Sequence, residues 1–253
     1  TLNAPARLNA LTPEMVTLLH KLLLEIRDDQ EAVAVFLDGA GERAFCVGAD
    51  TLRIRESALA NPCGMAVEAD AFFSCEYAAA HLIHRFPKPV ICWGSGIVMG
   101  AGLGLMAGGS HRIVTNKSTL AMPEISIGLF PNVGASWFLG QMPGATGLFT
   151  ALTSAYLSPA DALYAGLADY CLHDKNKTDV LRKIINLDWC DDSEWNSEQL
   201  TECLTDIEAE QGVVLQQSSL KDHRGWIDDV CALPSPAAVE MGICGYTGNS
   251  EWL

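Results

Sequence analysis

The chain has 253 residues, 49% of them hydrophobic and 19% charged, with 22 Gly and 11 Pro, a composition that fits an ordinary globular protein and excludes a disordered or collagen-like one. Its 16 Lys and Arg stand against 31 Asp and Glu, giving a formal net charge of −15 and a pI near 4.6. Such a surface does not gather nucleic acid or anionic lipid by charge, so neither nucleic acid nor a membrane is an expected partner.

Along the chain, Thr12 and Pro13 read as the N-cap and first position of a helix over 12–28, with Met15, Leu18, Leu19, Leu22 and Ile26 on its buried face. Ala32 to Leu37 is a short apolar run closed by Asp38-Gly39-Ala40-Gly41, the pattern of a fully buried strand followed by a turn. A second apolar run ends in a glycine loop at Phe45-Cys46-Val47-Gly48-Ala49-Asp50. Residues 64–86 read as helix, stopped by Pro87-Lys88-Pro89 before a strand at Val90 to Trp93. A Gly-rich helix start at 96–108 comes next. Strands at His111–Thr115 and Ser118–Met122 follow, then helices near 134–141, 145–155 and 159–168, the last announced by Ser158-Pro159. Alternating strands and helices up to about residue 172 imply an α/β layer structure. Beyond Asp174 the chain loses strand-like runs and gains charge and four Trp, at 189, 195, 226 and 252, which reads as a mainly helical C-terminal part.

Several tempting patterns fail in detail. Pro89 to Ser110 carries no formal charge and spaces Gly96, Gly100, Gly104 and Gly108 four apart, as a membrane helix with a G-x-x-x-G face would. Its glycines each cost a helix roughly 1 kcal/mol, and the strand-like start favours a buried strand, a glycine turn and a small-residue helix. Gly100-Ala101-Gly102-Leu103-Gly104 lacks the third glycine of a dinucleotide fingerprint, Leu105 taking its place, and there is no P-loop lysine and no G-x-S-x-G elbow. His81 and His84 lie three apart on a helix without a third ligand at metal-site spacing, so they read as a helix surface and an interhelical contact, and no metal is expected. The nine Cys are odd in number, form no C-x-x-C pair and sit mostly among apolar residues, as reduced, buried thiols of a cytoplasmic protein do. No signal peptide is visible, and a chain that starts on Thr1 and stops within Asn-Ser-Glu-Trp-Leu reads as trimmed.

Three segments, in order and spacing, resemble the crotonase (enoyl-CoA hydratase/isomerase) superfamily: Leu2 to Leu11 (LNAPARLNAL), Ala44 to Asp50 (AFCVGAD), and Gly96 to Gly134. The third, GIVMGAGLGLMAGG followed by AMPEISIGLFPNVGASWFL, is most similar to the 3-hydroxyisobutyryl-CoA hydrolase branch. The resemblance implies an α/β spiral of ββα units, with residues 1–172 as an acyl-CoA-binding core and 173–253 as a mainly helical C-terminal region. It implies an acyl-CoA substrate and no cofactor beyond the coenzyme A that enters with it, and it leaves a homo-oligomer open. It also implies that two backbone N–H groups, at Ala49 and Ala101, hold the thioester oxygen. Physically, small residues at Gly48 and Gly100 let a substrate approach the main chain, and preorganised donors about 3 Å from a developing oxyanion are what a tetrahedral intermediate needs.

Carboxylates separate the branches. Where the hydratase pattern has its first glutamate this chain has Gly104, leaving Glu124 as the single carboxylate beside the donors, a set that suits thioester hydrolysis by direct attack or by general-base activation of water. Taken without the resemblance, Glu124 reads as a partly exposed residue at a strand-to-helix turn. Glu76, in Phe72-Phe73-Ser74-Cys75-Glu76-Tyr77, matches a substrate-contacting glutamate of the hydrolase branch, and reads equally as a solvated helix position. Asn132 stands where that branch usually has Asp; its amide can orient a water or a hydroxyl but cannot take a proton. Arg7 stands beside Ala6, which replaces a Lys that many relatives place near the CoA phosphates. The expected activity is hydrolysis of a short, branched or 3-hydroxyacyl-CoA such as 3-hydroxyisobutyryl-CoA. An enoyl-CoA hydratase/isomerase and a non-catalytic CoA-ester-binding or assembly protein remain open.

Overall fold

The computed structural model describes residues 1–62 and 64–248. Helix α1 (Pro13–Asp28) starts as expected, with the Thr12 side chain accepting from Met15 N–H and Pro13 in the first turn. Its buried stripe is different: Val16 and Leu23 are buried, whereas Leu18 and Leu22 are 55% and 42% exposed. With apolar residues at 15, 16, 18, 19, 22, 23 and 24 the helix offers two overlapping stripes about 100° apart, and only tertiary packing chooses between them.

The strands are β1 (Val35–Asp38), β2 (Ala44–Cys46), β3 (Val90–Gly94), β4 (Ile97–Met99), β5 (His111–Thr115), β6 (Thr119–Ala121) and β7 (Tyr170–Leu172). Odd-numbered strands form one sheet in the order β1-β3-β5-β7 and even-numbered strands a second in the order β2-β4-β6. All pairings are parallel, with Val35 opposite Val90, Ile91 opposite His111, Ile113 opposite Tyr170, and Ile97 opposite Thr119. Each of the first three turns of the spiral thus lays one strand in each sheet, as a spiral of ββα units requires, and β7 adds a fourth strand to the first sheet alone. Helices α2 (Thr51–Ala60) and α3 (Val67–His84) close the first turn, and α4 (Ala101–Ala107) closes the second.

Two boundaries move. The apolar run at 32–37 pairs only from Val35, because its ladder partner begins at Val90 and Pro89 has no N–H to extend it. The stretch read as a helix start at 96–108 contains β4, held between β2 and β6, so the helix begins only after Gly100, whose φ of 53° and ψ of −123° suit glycine. Helix α2 and strand β7 are not foreseen, the former because it buries none of its residues and so shows no apolar period.

Helices α5 (Ala135–Phe138), α6 (Thr146–Thr153) and α7 (Pro159–Tyr164) follow β6, and Ser158 with Asp161 forms a full capping box on α7. The chain continues through α8 (Lys177–Ile185), α9 (Ser193–Gln211), α10 (Ser219–Asp222), α11 (Arg224–Cys231) and α12 (Pro236–Cys244). Val180 and Ile184 of α8 and Leu200, Leu204 and Ile207 of α9 cover one face of the odd-strand sheet against Ile91, Trp93 and Ile113. Leu220 of α10 and Ile227 of α11 join the main core on the other side. The residues after Leu172 therefore share their packing with those before it. No described helix is long and apolar enough to cross a membrane. The eight described cysteines are free thiols, of which Cys46, Cys92 and Cys171, all on strands between layers, are buried. The five on helices or loops are half-buried or, at Cys190 and Cys244, exposed, which corrects the reading of generally buried thiols. Cys63 and Trp252 lie outside the described residues.

The N-terminal segment is pinned by Asn9, which is fully buried: its Oδ1 accepts from Ala4 N–H, and its Nδ2 donates to Ala40 O and Ala44 O. Asn9→Ala removes the side-chain partner of three backbone groups, one buried and two part-buried. It is expected to lower unfolding free energy by roughly 2–4 kcal/mol, measured as a lower urea midpoint at unchanged slope.

Candidate active site

Two backbone turns meet at the site. In the first, Leu11 N–H donates to Gly48 O at 2.8 Å and Asp50 N–H to Leu11 O at 2.9 Å. These bonds flank Ala49 and turn its own N–H away from Leu11. In the second, Ala101 is the first residue of α4, so its N–H has no acceptor within the helix. The turns touch: a Cβ on Gly48 would lie 3.0 Å from Met99 O and 3.4 Å from Ala101 N. Gly48 itself has φ of 103°, a value that side chains rarely tolerate. Arg7 sits beside the first turn with its Nη2 2.7 Å from Asp50 Oδ2, and Asp50 is almost wholly buried. Its charge is thus committed to an ion pair that ties the N-terminal segment to residues 48–50.

A cavity of about 60 Å³ opens between these turns, with Gly48, Ala49, Gly100, Ala101, Glu76, Glu124 and Asn132 all on its wall. Glu124 comes from the 3₁₀ turn Pro123–Ile127 after β6, and its Oε1 lies 2.9 Å from where a Cβ on Gly100 would stand. It is 7% exposed, not half in solvent. Glu76, in the middle of α3, is 0% exposed, so it is no solvated helix position. Among the described residues neither oxygen of Glu76 nor Oε2 of Glu124 has a hydrogen-bond partner.

Burial pushes the Glu76 carboxyl up to about 8, and the nearby Glu124 charge adds to the shift. Burial likewise holds Glu124 above the usual carboxylate range, opposed by a backbone hydrogen bond. The expectation of one carboxylate is therefore corrected to two, one of them carrying its proton at neutral pH. Sequence held a signal for this: positions three and four residues either side of Glu76 are Phe72, Phe73, Ala79 and Ala80, an apolar neighbourhood on a helix.

Asn132 lies on the cavity wall with its Nδ2 3.0 Å from Tyr77 Oη. Gly104 faces Val133 at such close range that an added Cβ would come within 2.6 Å of both Val133 Cγ1 and Val133 O. No glutamate fits at 104 without displacing that backbone. Sequence reasoning missed Tyr77 and Val133, and nothing in the pattern around either residue marks it.

The family profile described as enoyl-CoA hydratase/isomerase matches residues 1–247, and the chain belongs to that family. It is 40% identical over 172 residues to small ribosomal subunit protein mS47 of Neurospora crassa, covering 68% of this chain and 34% of that one. It is 37% identical over 187 residues to mitochondrial 3-hydroxyisobutyryl-CoA hydrolase of Danio rerio, covering 74% of this chain and 48% of that one. The match thus spans less than half the length of either curated relative. A carnitinyl-CoA dehydratase from Mycobacterium thermoresistibile superposes with a TM-score of 0.85 at 33% identity, covering 98% of this chain and 67% of that one.

Glu76 makes stability depend on pH. Its ordinary value is 4.5 and its folded value about 8, so between them the folded state binds more protons than the unfolded one. Stability falls as pH rises through that window, and the penalty is complete above it. Glu76→Gln is expected to raise the thermal midpoint by roughly 5 °C or more near pH 9 and by much less near pH 5.5. A gain of equal size at both pH values would contradict the assignment.

Proposed function

We propose that the chain is an acyl-CoA thioester hydrolase acting on a short branched or 3-hydroxyacyl-CoA such as 3-hydroxyisobutyryl-CoA. The observation that carries the reading is the buried Glu124 carboxyl over Gly100, on the wall of a pocket shared with Ala101, while position 104, packed against Val133 outside that pocket, has no room for a second hydratase glutamate. The relatives named as 3-hydroxyisobutyryl-CoA hydrolases support it. The thioester oxygen lies between the N–H groups of Ala49 and Ala101. Glu124 either attacks the carbonyl carbon, expelling coenzyme A thiolate and leaving an anhydride for water to cleave, or removes a proton from the attacking water. As charge passes from the carbonyl carbon's π bond to its oxygen, the two fixed donors stabilise it without reorganising. Glu76, protonated at neutral pH, donates a hydrogen bond to the substrate. Gly48 and Gly100 allow close approach, Asn132 orients a hydroxyl through its amide, and Arg7 acts through its pair with Asp50. The reading keeps coenzyme A as part of the substrate, with no other cofactor.

A non-catalytic role is the second reading, favoured by Asn132 in place of the branch's acid and by the ribosomal relative. One experiment separates the possibilities: thiol release from a panel of acyl-CoAs, read beside loss of enoyl absorbance with crotonyl-CoA. Thiol release from a 3-hydroxyacyl-CoA exceeding crotonyl-CoA hydration supports the hydrolase. Hydration exceeding thiol release points to a hydratase, and acyl-CoA binding without turnover points to the non-catalytic reading.

Glu124→Gln is expected to lower kcat by about 10²–10⁴-fold while acyl-CoA affinity stays within a few-fold. The parent's kcat/KM should rise with pH along a limb displaced above 4.5, because burial raises Glu124 and only its ionised form acts. It should fall again near 8 as Glu76 loses its proton. Glu76→Gln should remove the descending limb and keep the ascending one.

A further inference from the structure

The far wall of the active-site pocket is built from neighbouring residues that face opposite ways. Glu76, Asn132 and Gly100-Ala101 line the pocket, whereas Tyr77, Val133 and Gly104 line an apolar cleft of about 280 Å³ behind it. The two linings share no residue. Two contacts close the partition: Asn132 Nδ2 donates to Tyr77 Oη, and the Val133 side chain sits directly on Gly104. Beyond it the cleft is walled by His81 and His84 of α3, Ala107 of α4, and Trp137 and Phe138 of α5.

Val133 is held at a backbone cost. Its φ is 49° and that of Gly134 is 81°, and Ala135 N–H donates to Asn132 O at 2.9 Å, closing a turn with both central residues in the left-handed region. Such turns favour Asn-Gly, and a β-branched residue at positive φ is a genuine outlier. Strain of this kind persists where the surroundings over-determine a residue, often at a ligand site. Here the strained residue is 3% exposed and packs on Gly104 at the wall of the cleft, one residue from Asn132 on the wall of the pocket.

We infer that Val133 sets the acyl size this protein accepts: its side chain caps the acyl end of the pocket and shuts off the apolar cleft, confining the site to short acyl groups. Removing it joins the two spaces, and the cleft then takes the distal methylenes of a medium-length, unbranched acyl chain. The inference rests on the reading of the pocket as an acyl-CoA site, not on turnover.

The test uses S-butyl-CoA and S-octyl-CoA, thioethers without a scissile carbonyl, titrated calorimetrically into the whole protein. The parent should bind the butyl compound at least about tenfold more tightly than the octyl. Val133→Gly, which suits the positive φ, should gain at least about tenfold for the octyl compound with butyl affinity little changed. Val133→Ala should gain less, and serves if the glycine variant fails to fold. Trp137→Ala in the Val133→Gly background should reduce the octyl gain and spare butyl binding, locating the chain in the cleft. Equal butyl and octyl affinity in the parent, no octyl gain in folded variants, or a gain indifferent to Trp137→Ala would each overturn the inference. Binding of neither thioether to the parent or any variant would overturn the acyl-CoA reading itself.

Discussion

The site depends on how closely α4 lies against its neighbours. A Cβ on Gly102 would fall 2.3 Å from Cys46 O, and one on Gly104 would fall 2.6 Å from Val133 O. At those distances no side chain fits, so main chain rests on main chain from the end of β2 to the turn at Val133. This contact brings together N–H groups from two different turns of the spiral, Ala49 in the first and Ala101 in the second. It also explains why an alanine is accommodated between glycines: the Ala101 methyl points into the main core, leaving its N–H free to face the pocket.

That arrangement has an electrostatic cost. Two buried carboxyls face one small cavity whose described lining holds no cation, and Arg7 nearby is taken by Asp50. One acid, Glu76, resolves most of the conflict by keeping its proton and standing as a neutral donor beside Glu124. Asn132 eases it further, because an aspartate there would add another negative charge to the same wall. The buried apolar layers on both sides of the odd-strand sheet supply the stability that tolerates such a pocket.

Much of this was legible in the residues, and what was not has identifiable causes. Local signals carried α1 and α7, whose caps Thr12 and Ser158 are set by side chains within four residues. Strand β3 was readable because its five residues, Val90 to Gly94, are all buried and form a continuous apolar run. Glycines that must admit another backbone marked Gly48 and Gly100. Longer-range choices were not visible: which stripe of α1 faces inward, where β1 begins relative to Pro89, and that β4 interrupts the glycine-rich stretch. Each is decided by a partner distant in sequence. Glu76 was located but its state was not, because its protonation depends first on burial by tertiary packing and then on Glu124 across the cavity. Val133 escaped altogether, since a positive φ at valine has no signature in composition or periodicity.

The two-sheet spiral has a consequence for how the protein acquires its site. Every ladder is parallel and joins segments far apart in the chain, β1 to β3 across α2 and α3, and β5 to β7 across α5 to α7. Closing such loops precedes any reward from the contacts they bring, which makes the assembly slow and strongly cooperative. The N–H groups of Ala49 and Ala101 belong to separate turns whose relative placement requires β2 and β4 to be paired. A half-folded chain therefore holds half a site, and the pocket comes into being only with the native topology itself.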